Sequence, residues 1–274
     1  MTVTAPAPAR SAPSRALDWV RDHLVQFFAG LALLYLFLPV IVVFAFSFND
    51  PAGRFNFQWR RFSLDAWRDV CGAPGMCDSL LVSLQVGLLA TVVATLLGTL
   101  LSFALVRHRF RGRAATNLLI FLPMATPEVV MGSSLLALFV QGGVDRGFWT
   151  IFVAHVLFCL SFVVVTVKAR LQGLDPGLEQ AAMDLYANEW QTFRLVTWPL
   201  VLPGILAAAL LSFSLSFDDF IITNFNSGST VTFPMYVFGA NQRGVPPQIN
   251  VIGSLMFLAA LGIALAAQYR RKKH

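Results

Sequence analysis

The chain has 274 residues, of which 57% are hydrophobic and 12% are charged, and its mean hydropathy is +0.68. This composition excludes a soluble globular domain of this length and is typical of a helical protein that crosses a membrane several times. The formal net charge of +6 fits topology and contact with the bilayer, so it gives no reason to expect a nucleic-acid partner.

Six long apolar runs predict six transmembrane helices and an all-α fold. Each run is long enough to cross the hydrocarbon core, where the backbone must satisfy its own hydrogen bonds. We expect a disordered N-terminal tail over 1–23, one transmembrane domain over 24–269 and a basic tail over 270–274. The predicted spans are Leu24–Phe48, Ser79–Val106, Ala114–Val140, Thr150–Val167, Leu200–Ile222 and Val251–Tyr269.

The Lys and Arg residues predict that both termini lie in the cytosol. With the N-terminus inside, fourteen of the twenty fall on the cytosolic side and six fall outside. This distribution follows the positive-inside rule. The first apolar run is too long for a removable signal peptide, so we interpret it as a retained helix.

Two cysteines lie in the first external loop. Cys71 and Cys77 flank a Gly-Ala-Pro-Gly segment and would form a disulfide in an oxidising compartment. Two free thiols are the alternative. Cys159 lies in the fourth span, where a packing role is expected.

The third span contains a predicted break. Pro123 and Pro127 interrupt the helix, and Thr126 is expected to cap its restart. Glu128 then lies in the first helical turn, where the helix dipole favours a negative charge. Two roles are open for Glu128: this structural position, or a place in a transport pathway lined by freed backbone groups.

A polar, helical stretch follows the fourth span, and it forms a predicted cytosolic loop over about 169–199. Asp175 is expected to cap a first helix with Pro176 at its first position. Asn188 is expected to cap a second helix, with Gln191 completing a capping box. An apolar face of Leu178, Ala181, Ala182 and Leu185 recurs at helical spacing. We call this amphipathic pair of helices, over about 169–199, the hook. Its position in the cytosol predicts a docking site for another protein.

The fifth span ends in two acidic residues. Asp218 and Asp219 lie about 18 residues beyond Leu200, roughly 27 Å at α-helical rise, which places them near the external side. They form either a solvated or capping pair, or a cation pathway in which at least one takes part. Phe217 and Phe220 either pack at the interface or hold an ammonium group by cation–π contact.

Sites for cofactors are absent from the sequence pattern. None of the three Lys residues follows a phosphate-binding glycine motif. The four His residues show neither metal-ligand spacing nor a Ser-His-Asp arrangement. We therefore expect no enzyme activity, cofactor or metal in this chain, and any ATPase would be a separate polypeptide.

The cytosolic stretch resembles the EAA loop of permease subunits in binding-protein-dependent ABC importers. Gln180 stands where the family usually has Glu, Tyr186 where it has Gly, and Trp198 where it has Leu. The missing Gly concerns the turn between the two helices, since Gly adopts turn conformations freely. The residues that the resemblance assigns to ATPase coupling are Gln180, Ala181, Ala182, Asp184, Leu185, Tyr186, Ala187, Phe193 and Pro199.

Two further segments are similar to spermidine/putrescine permease subunits. They are the third-span region around Leu122–Gly132 and the fifth-span region Ser216–Gly228. The resemblance implies the type I importer fold in a bacterial inner membrane and polyamines as the substrate. It also implies a second permease subunit, two copies of a cytosolic ATPase that binds ATP and Mg, and an extracytoplasmic binding protein.

Three alternatives to a polyamine permease are open. Related permeases carry other small solutes. A stand-alone channel or ion-coupled carrier would need no cytosolic partner, and the predicted docking loop argues against it. A membrane-embedded enzyme would need a catalytic cluster, which the sequence lacks.

Overall fold

The structure is a computed structural model that describes residues 12–271. Within this range the chain forms twelve α-helices and one π-helical segment, and its β-structure is a single bridge between Asn49 and Phe62. The helices are α1 Ala12–Phe46, α2 Asp65–Arg68, α3 Met76–Arg107, α4 Arg113–Ala125, α5 Glu128–Gln141, α6 Phe148–Gln172, α7 Pro176–Asp184, α8 Glu189–Thr192, α9 Trp198–Asp218, α10 Ile221–Asn226, α11 Phe233–Arg243 and α12 Pro247–Arg271, with the π-helical segment Phe193–Thr197 between α8 and α9.

The expected N-terminal tail is partly helical. Helix α1 begins at Ala12, so disorder over residues 12–23 was a wrong prediction. Pro13 stands in the first turn, where its missing N–H costs little, and the Ala, Leu and Arg residues that follow are good helix formers. Residues 1–11 of the expected tail, and residues 272–274 of the basic tail, lie outside the described residues.

The described chain divides into two compact units, one from the two ends of the chain and one over 74–242. In the first unit α1 packs against α12. A methyl group at Gly253 would lie 3.3 Å from Val43, so the backbone approaches closely there. The rings of Phe37 and Phe257 meet edge to face with centroids 6.3 Å apart.

Buried asparagines fold the loop that follows α1. The Asn49 amide donates to Oδ1 of Asn56 at 2.6 Å and to the Gln58 carbonyl at 2.8 Å, and its Oδ1 accepts from the Arg60 N–H at 2.9 Å. These bonds satisfy a buried amide completely and fix the loop. Cys71 and Cys77 are both disulfide-bonded, whereas Cys159 is free and buried.

The second unit is built on α3, α6 and α9. Helices α3 and α6 approach closely at Gly98, where a methyl group would lie 2.6 Å from Val163 Cγ1. One turn later, Ser102 Oγ lies 3.1 Å from the Val164 carbonyl. Gly87 of α3 and His155 of α6 both face the end of α9, at Phe213 and Ser216. Farther along each helix, Phe103 and Arg170 contact Phe193 just before α9 and Leu200 near its start, so α3 and α6 run parallel. Their shared core includes Ala94, Ala154, Phe158, Cys159, Val163, Val167, Val201, Ile205 and Ala208.

Helices α4 and α5 form a sharply bent pair in place of one predicted straight span. Five single helices are long and apolar enough to span a membrane, and α4 with α5 forms a pair bent by 108°. Because α3 and α6 run parallel, the chain between them must cross once. Near the start of this pair, Asn117 accepts a 2.6 Å bond from Lys168 at the end of α6. The described chain therefore has five single candidate spans, and six when the bent pair counts as one, the number predicted.

The break differs from its predicted form. Thr126 does not cap the restart: it ends α4, and its hydroxyl donates back to the Leu122 carbonyl at 2.7 Å. Pro127 occupies the N-cap position of α5, and Glu128 lies in the first turn as expected. Thr126 does not cap α5 because its hydroxyl bonds the Leu122 carbonyl one turn back, as threonine hydroxyls commonly do inside helices. Pro123 lies inside α4, so it does not break the helix.

Short helices follow the fifth span. Helix α9 ends at Asp218, four residues before the predicted end, and α10 then packs against α5. Gly132 allows this contact, since a methyl group there would lie 2.8 Å from the Phe225 ring. The backbone N–H that begins α11, at Phe233, donates to Ser83 Oγ at 2.8 Å. Short, hydrogen-bonded helices that hydropathy did not reveal therefore follow α9 in this unit.

Candidate coupling surface and transport pathway

The two predicted cytosolic helices are present with the expected caps. Asp175 Oδ1 accepts the Gly177 N–H at 2.9 Å at the start of α7. Asn188 Oδ1 accepts the Gln191 N–H at 2.8 Å, and Gln191 Oε1 accepts the Asn188 N–H at 2.9 Å. This reciprocal pair is the capping box that the sequence predicted for α8. Local side chains therefore fix where each of the two helices begins.

The turn between α7 and α8 keeps the shape that glycine normally provides. Tyr186 has φ +63°, in the left-handed region. Its N–H donates to the Met183 carbonyl at 2.9 Å, and the Ala187 N–H donates to the Ala182 carbonyl at 3.1 Å. These are the two bonds of a Schellman motif with tyrosine at the C′ position. The departure at Tyr186 therefore changes the side chain at this turn and not its backbone.

An apolar groove lies between α7 and the start of α9. It is open to solvent and has a volume of about 450 Å³. Of the predicted coupling residues, Gln180, Asp184 and Leu185 are exposed, and Ala182 and Ala187 are half-buried. The groove is lined by Leu178, Ala181, Ala182, Leu185, Leu195, Val196, Pro199 and Leu200.

A polar network that the sequence analysis missed joins this hook to α3. Arg107, the last residue of α3, holds Glu179 through a two-pronged ion pair, with 2.7 Å between Nη1 and Oε2. The Thr197 hydroxyl donates to Glu179 Oε1 at 2.6 Å. Burial raises the pKa of Glu179, but the bonds from Thr197 and Arg107 and the arginine charge outweigh it, so the pKa lies below its ordinary value. Arg107 counted in the sequence only as a topology charge, and nothing there paired it with Glu179.

Aromatic rings pack along the π-helical segment. Phe193, half-buried, has its ring centroid 5.8 Å from Trp190, 6.0 Å from Trp198 and 5.8 Å from Phe103 of α3. The exposed Pro199 follows in the first turn of α9. Together with the Glu179 network, these contacts connect the hook to two transmembrane helices.

Asp219 lies in a buried network near the other end of α9. Its side chain is 3% exposed. Oδ2 accepts from the backbone N–H and the hydroxyl of Thr223, each at 2.8 Å, and Oδ1 lies 3.3 Å from the Ile222 N–H. The residue therefore caps α10.

His155 of α6 completes this network. Its Nε2 lies 2.9 Å from Thr223 Oγ1 and 3.3 Å from Asp219 Oδ2, and its Nδ1 lies 2.7 Å from Ser216 Oγ. Both ring nitrogens therefore have a hydrogen-bond partner. These contacts tie α6 to α9 and α10.

The remaining pathway candidates are dispersed. Phe217 is buried with ring centroids 5.9 Å from Phe213 and 6.4 Å from Phe233. Phe217 and Asp219 are thus buried, in keeping with the packing alternative for Phe217 and the capping alternative for Asp219. Their part in a pathway stays a prediction. Adjacent helical side chains diverge, so burying one acid turned the next outward.

Three candidates keep accessible surface. Asp218 and Glu128 are exposed, and Phe220 is half-buried with its ring 4.7 Å from that of Phe238. They stay predicted pathway residues. Among the described residues, no group of three or more His, Cys, Asp or Glu side chains could hold a metal ion.

Comparison with known proteins agrees with this architecture. Residues 94–269 match the family described as binding-protein-dependent transport system inner membrane component. The chain is 35% identical over 255 residues to the spermidine/putrescine transport system permease protein PotC of Haemophilus influenzae, covering 93% of this chain and 98% of that protein. It is 36% identical over 241 residues to the putrescine transport system permease protein PotI of Escherichia coli K12, covering 85% of each.

Solved transporters share the fold. A bacterial alginate ABC transporter, crystallised with an alginate pentasaccharide-bound periplasmic protein, matches with a TM-score of 0.68 and 15% identity over 95% of this chain and 96% of that one. An amino acid ABC transporter crystallised with histidines matches with a TM-score of 0.59 and 19% identity over 77% of this chain and all of that one. The chain is thus a multi-pass protein of the inner-membrane transporter type, and it belongs to the family of inner membrane components of binding-protein-dependent transport systems as a permease subunit of an ABC importer.

Proposed function

We propose that this permease imports polyamines, with spermidine and putrescine as the first candidates. The observation that carries the proposal is its 35–36% identity to permeases of two polyamine systems over 85–93% of this chain. The solved transporters share the fold only, so they do not bear on the substrate.

The proposed pathway uses exposed carboxylates. A polyamine carries several ammonium groups, and carboxylates in a confined opening attract cations and replace part of their lost hydration. Asp218 and Glu128 are exposed acids at the end of α9 and at the break between α4 and α5. We assign them to the pathway, with Phe220 beside Asp218. A single permease subunit would form half of this pathway and a second permease the other half.

The proposed assembly places ATP hydrolysis on separate chains. Two copies of a cytosolic ATPase, each binding ATP and Mg, would dock on the permease pair, and an extracytoplasmic binding protein would deliver the substrate. The apolar groove between α7 and α9 supports docking here, because exposed apolar surface rimmed by polar residues is typical of protein interfaces. This role requires the hook, and hence both termini by the charge pattern, to be cytosolic.

Two sets of contacts would transmit a movement of the hook to the membrane helices. Arg107 and Thr197 hold Glu179 of α7, and Phe193 packs on Phe103 of α3. A movement imposed on α7 by the ATPase would therefore reach α3 and α9 directly. Ala182→Glu would place a charge in the groove, so it should abolish transport and ATPase stimulation while expression stays near normal. Uptake at the wild-type rate would refute docking at this groove.

The substrate proposal is tested by uptake in a strain that lacks this permease. Radiolabelled spermidine and putrescine should enter only when the gene is restored, and unlabelled polyamines should compete while neutral sugars and amino acids do not. Complementation that restores uptake of another solute, without either polyamine, would reject the substrate and leave the permease assignment intact.

A further inference from the structure

Tyr186 occupies a backbone position that suits glycine. Among the described residues it is the one non-glycine residue with positive φ, at 63°. The Schellman bonds of Tyr186 and Ala187 form through the backbone, so the turn does not depend on the side chain. Any Cβ in this conformation is strained against the neighbouring carbonyl, and glycine avoids that strain. The tyrosine therefore costs the folded subunit stability at this turn.

The subunit gains no packing from the tyrosine ring. Its side chain is 97% exposed, and in the described part of the chain no other ring lies against it. Leu185 beside it is 82% exposed, and Trp190 and Leu195 are also exposed. Backbone strain that no local contact offsets is characteristic of functional sites. The tip of the hook thus presents a bulky amphipathic ring next to the apolar groove.

The charges around this tip indicate the chemistry of its partner. Between residues 175 and 199 the sequence has four acidic residues and one basic residue, Arg194. Glu179 is neutralised by Arg107, whereas Asp175, Asp184 and Glu189 are exposed. Such a rim would be repelled by anionic lipid headgroups. It fits a protein surface with basic residues around an apolar pocket.

We propose that Tyr186 selects the ATPase partner by inserting its ring into a pocket of that subunit. The inference rests on the proposed docking of an ATPase at the α7–α9 groove, and it adds a residue that decides which ATPase fits. The Schellman turn fixes the backbone from which the ring projects, and aromatic rings that become buried commonly dominate interface energies. An ATPase without the matching pocket would clash with this tip.

The test measures binding of the purified ATPase subunit of the same transport system to the permease assembly in lipid nanodiscs. Tyr186→Gly should weaken binding at least tenfold and leave the melting temperature of the permease unchanged or higher, because it relieves the strained φ. Tyr186→Phe keeps the ring and should bind within threefold of wild type. Phe110→Gly removes another exposed ring from a loop beside the end of α3 and should leave binding within twofold.

The outcomes separate this inference from the docking proposal. Wild-type binding by Tyr186→Gly, while Ala182→Glu abolishes it, would overturn the role of Tyr186 and preserve docking at the groove. Wild-type binding by Ala182→Glu would reject the docking site itself. A lowered melting temperature in Tyr186→Gly, or an equal loss of binding in Phe110→Gly, would also overturn partner selection, because each assigns the effect to stability or to apolar surface in general.

Discussion

Asp219→Asn should damage folding rather than transport chemistry. The substitution keeps the size of the side chain and removes its charge. Asp219 is buried among donors: two backbone N–H groups at the start of α10, the Thr223 hydroxyl and His155. An asparagine has one acceptor oxygen to serve this set, and its amide N–H₂ would face other donors. The start of α10 and its link to α6 should therefore loosen.

The magnitude follows from the bonds that are lost. Hydrogen bonds to a charged group contribute about 1.5–3 kcal/mol each. Asparagine keeps one good acceptor, and the Thr223 hydroxyl can turn to donate elsewhere, so we expect a net loss of about 2–4 kcal/mol. At roughly 2–4 °C per kcal/mol for a chain of this size, the melting temperature should fall by roughly 4–16 °C.

The matched control is the neighbouring residue. Asp218 is exposed, so Asp218→Asn should change stability by less than about 0.5 kcal/mol. If Asp218 lines the polyamine pathway, the same variant should reduce uptake about tenfold, equivalent to about 1.4 kcal/mol. Melting of the purified permease in detergent and uptake in cells, measured on both variants, give the comparison.

Two results would refute the reasoning. Normal melting and normal assembly of Asp219→Asn, combined with lost uptake, would place Asp219 in the pathway despite its burial. Normal uptake by Asp218→Asn would remove that carboxylate from the pathway, and the cation route would then have to use Glu128 or groups on the partner permease.

Three further outcomes are expected. Glu179→Gln should destabilise the packing of α7 by about 1–2 kcal/mol. Because the pKa of Glu179 is lowered in the folded protein, the wild type keeps this stabilisation above pH 4.5, the ordinary pKa of a glutamate, and loses it as the pH falls through the lowered pKa. Melting curves of the variant should lack this pH-dependent loss. Mass spectrometry without reductant should find one peptide pair linked through Cys71 and Cys77, and quantitative alkylation of both thiols would contradict the disulfide. Gly98→Ala should destabilise the α3–α6 contact by about 1–3 kcal/mol, because its methyl group would lie 2.6 Å from Val163; an unchanged melting temperature would show that the two helices can separate freely.

The sequence was most informative where a local signal decides the structure. Long apolar runs identified the crossings, and the caps at Asp175 and Asn188 were predicted because each depends on residues within three positions along the chain. The same locality explains the amphipathic face of α7, whose members line the groove. Local chemistry was ambiguous at Thr126, where the hydroxyl could cap forward or bond backward, and the backward bond formed.

Contacts between distant segments could not be predicted from one sequence. Arg107 and Glu179 are 72 residues apart, and His155 and Thr223 are 68 apart. Their pairing depends on the packing of α3, α6 and α9, which hydropathy does not encode. The burial of Asp219 beside an exposed Asp218 has the same origin, since it depends on which face of the chain turns toward α6.

The π-helical segment Phe193–Thr197 also determines how the chain tolerates changes in length. A π-helical turn contains about one residue more than an α-helical turn. The segment therefore accommodates one extra residue while the helices on either side keep their orientation about the helix axis. On one side Phe193 meets Phe103, and on the other Arg170 Nε donates to the Leu200 carbonyl at 2.8 Å. Deleting one residue inside the segment would convert it to regular α-helix and preserve both contacts. The same deletion within α9, at Ala207–Ala209, would rotate the hook by about 100° relative to Asp218, so evolutionary insertions and deletions should concentrate in the π-helical segment.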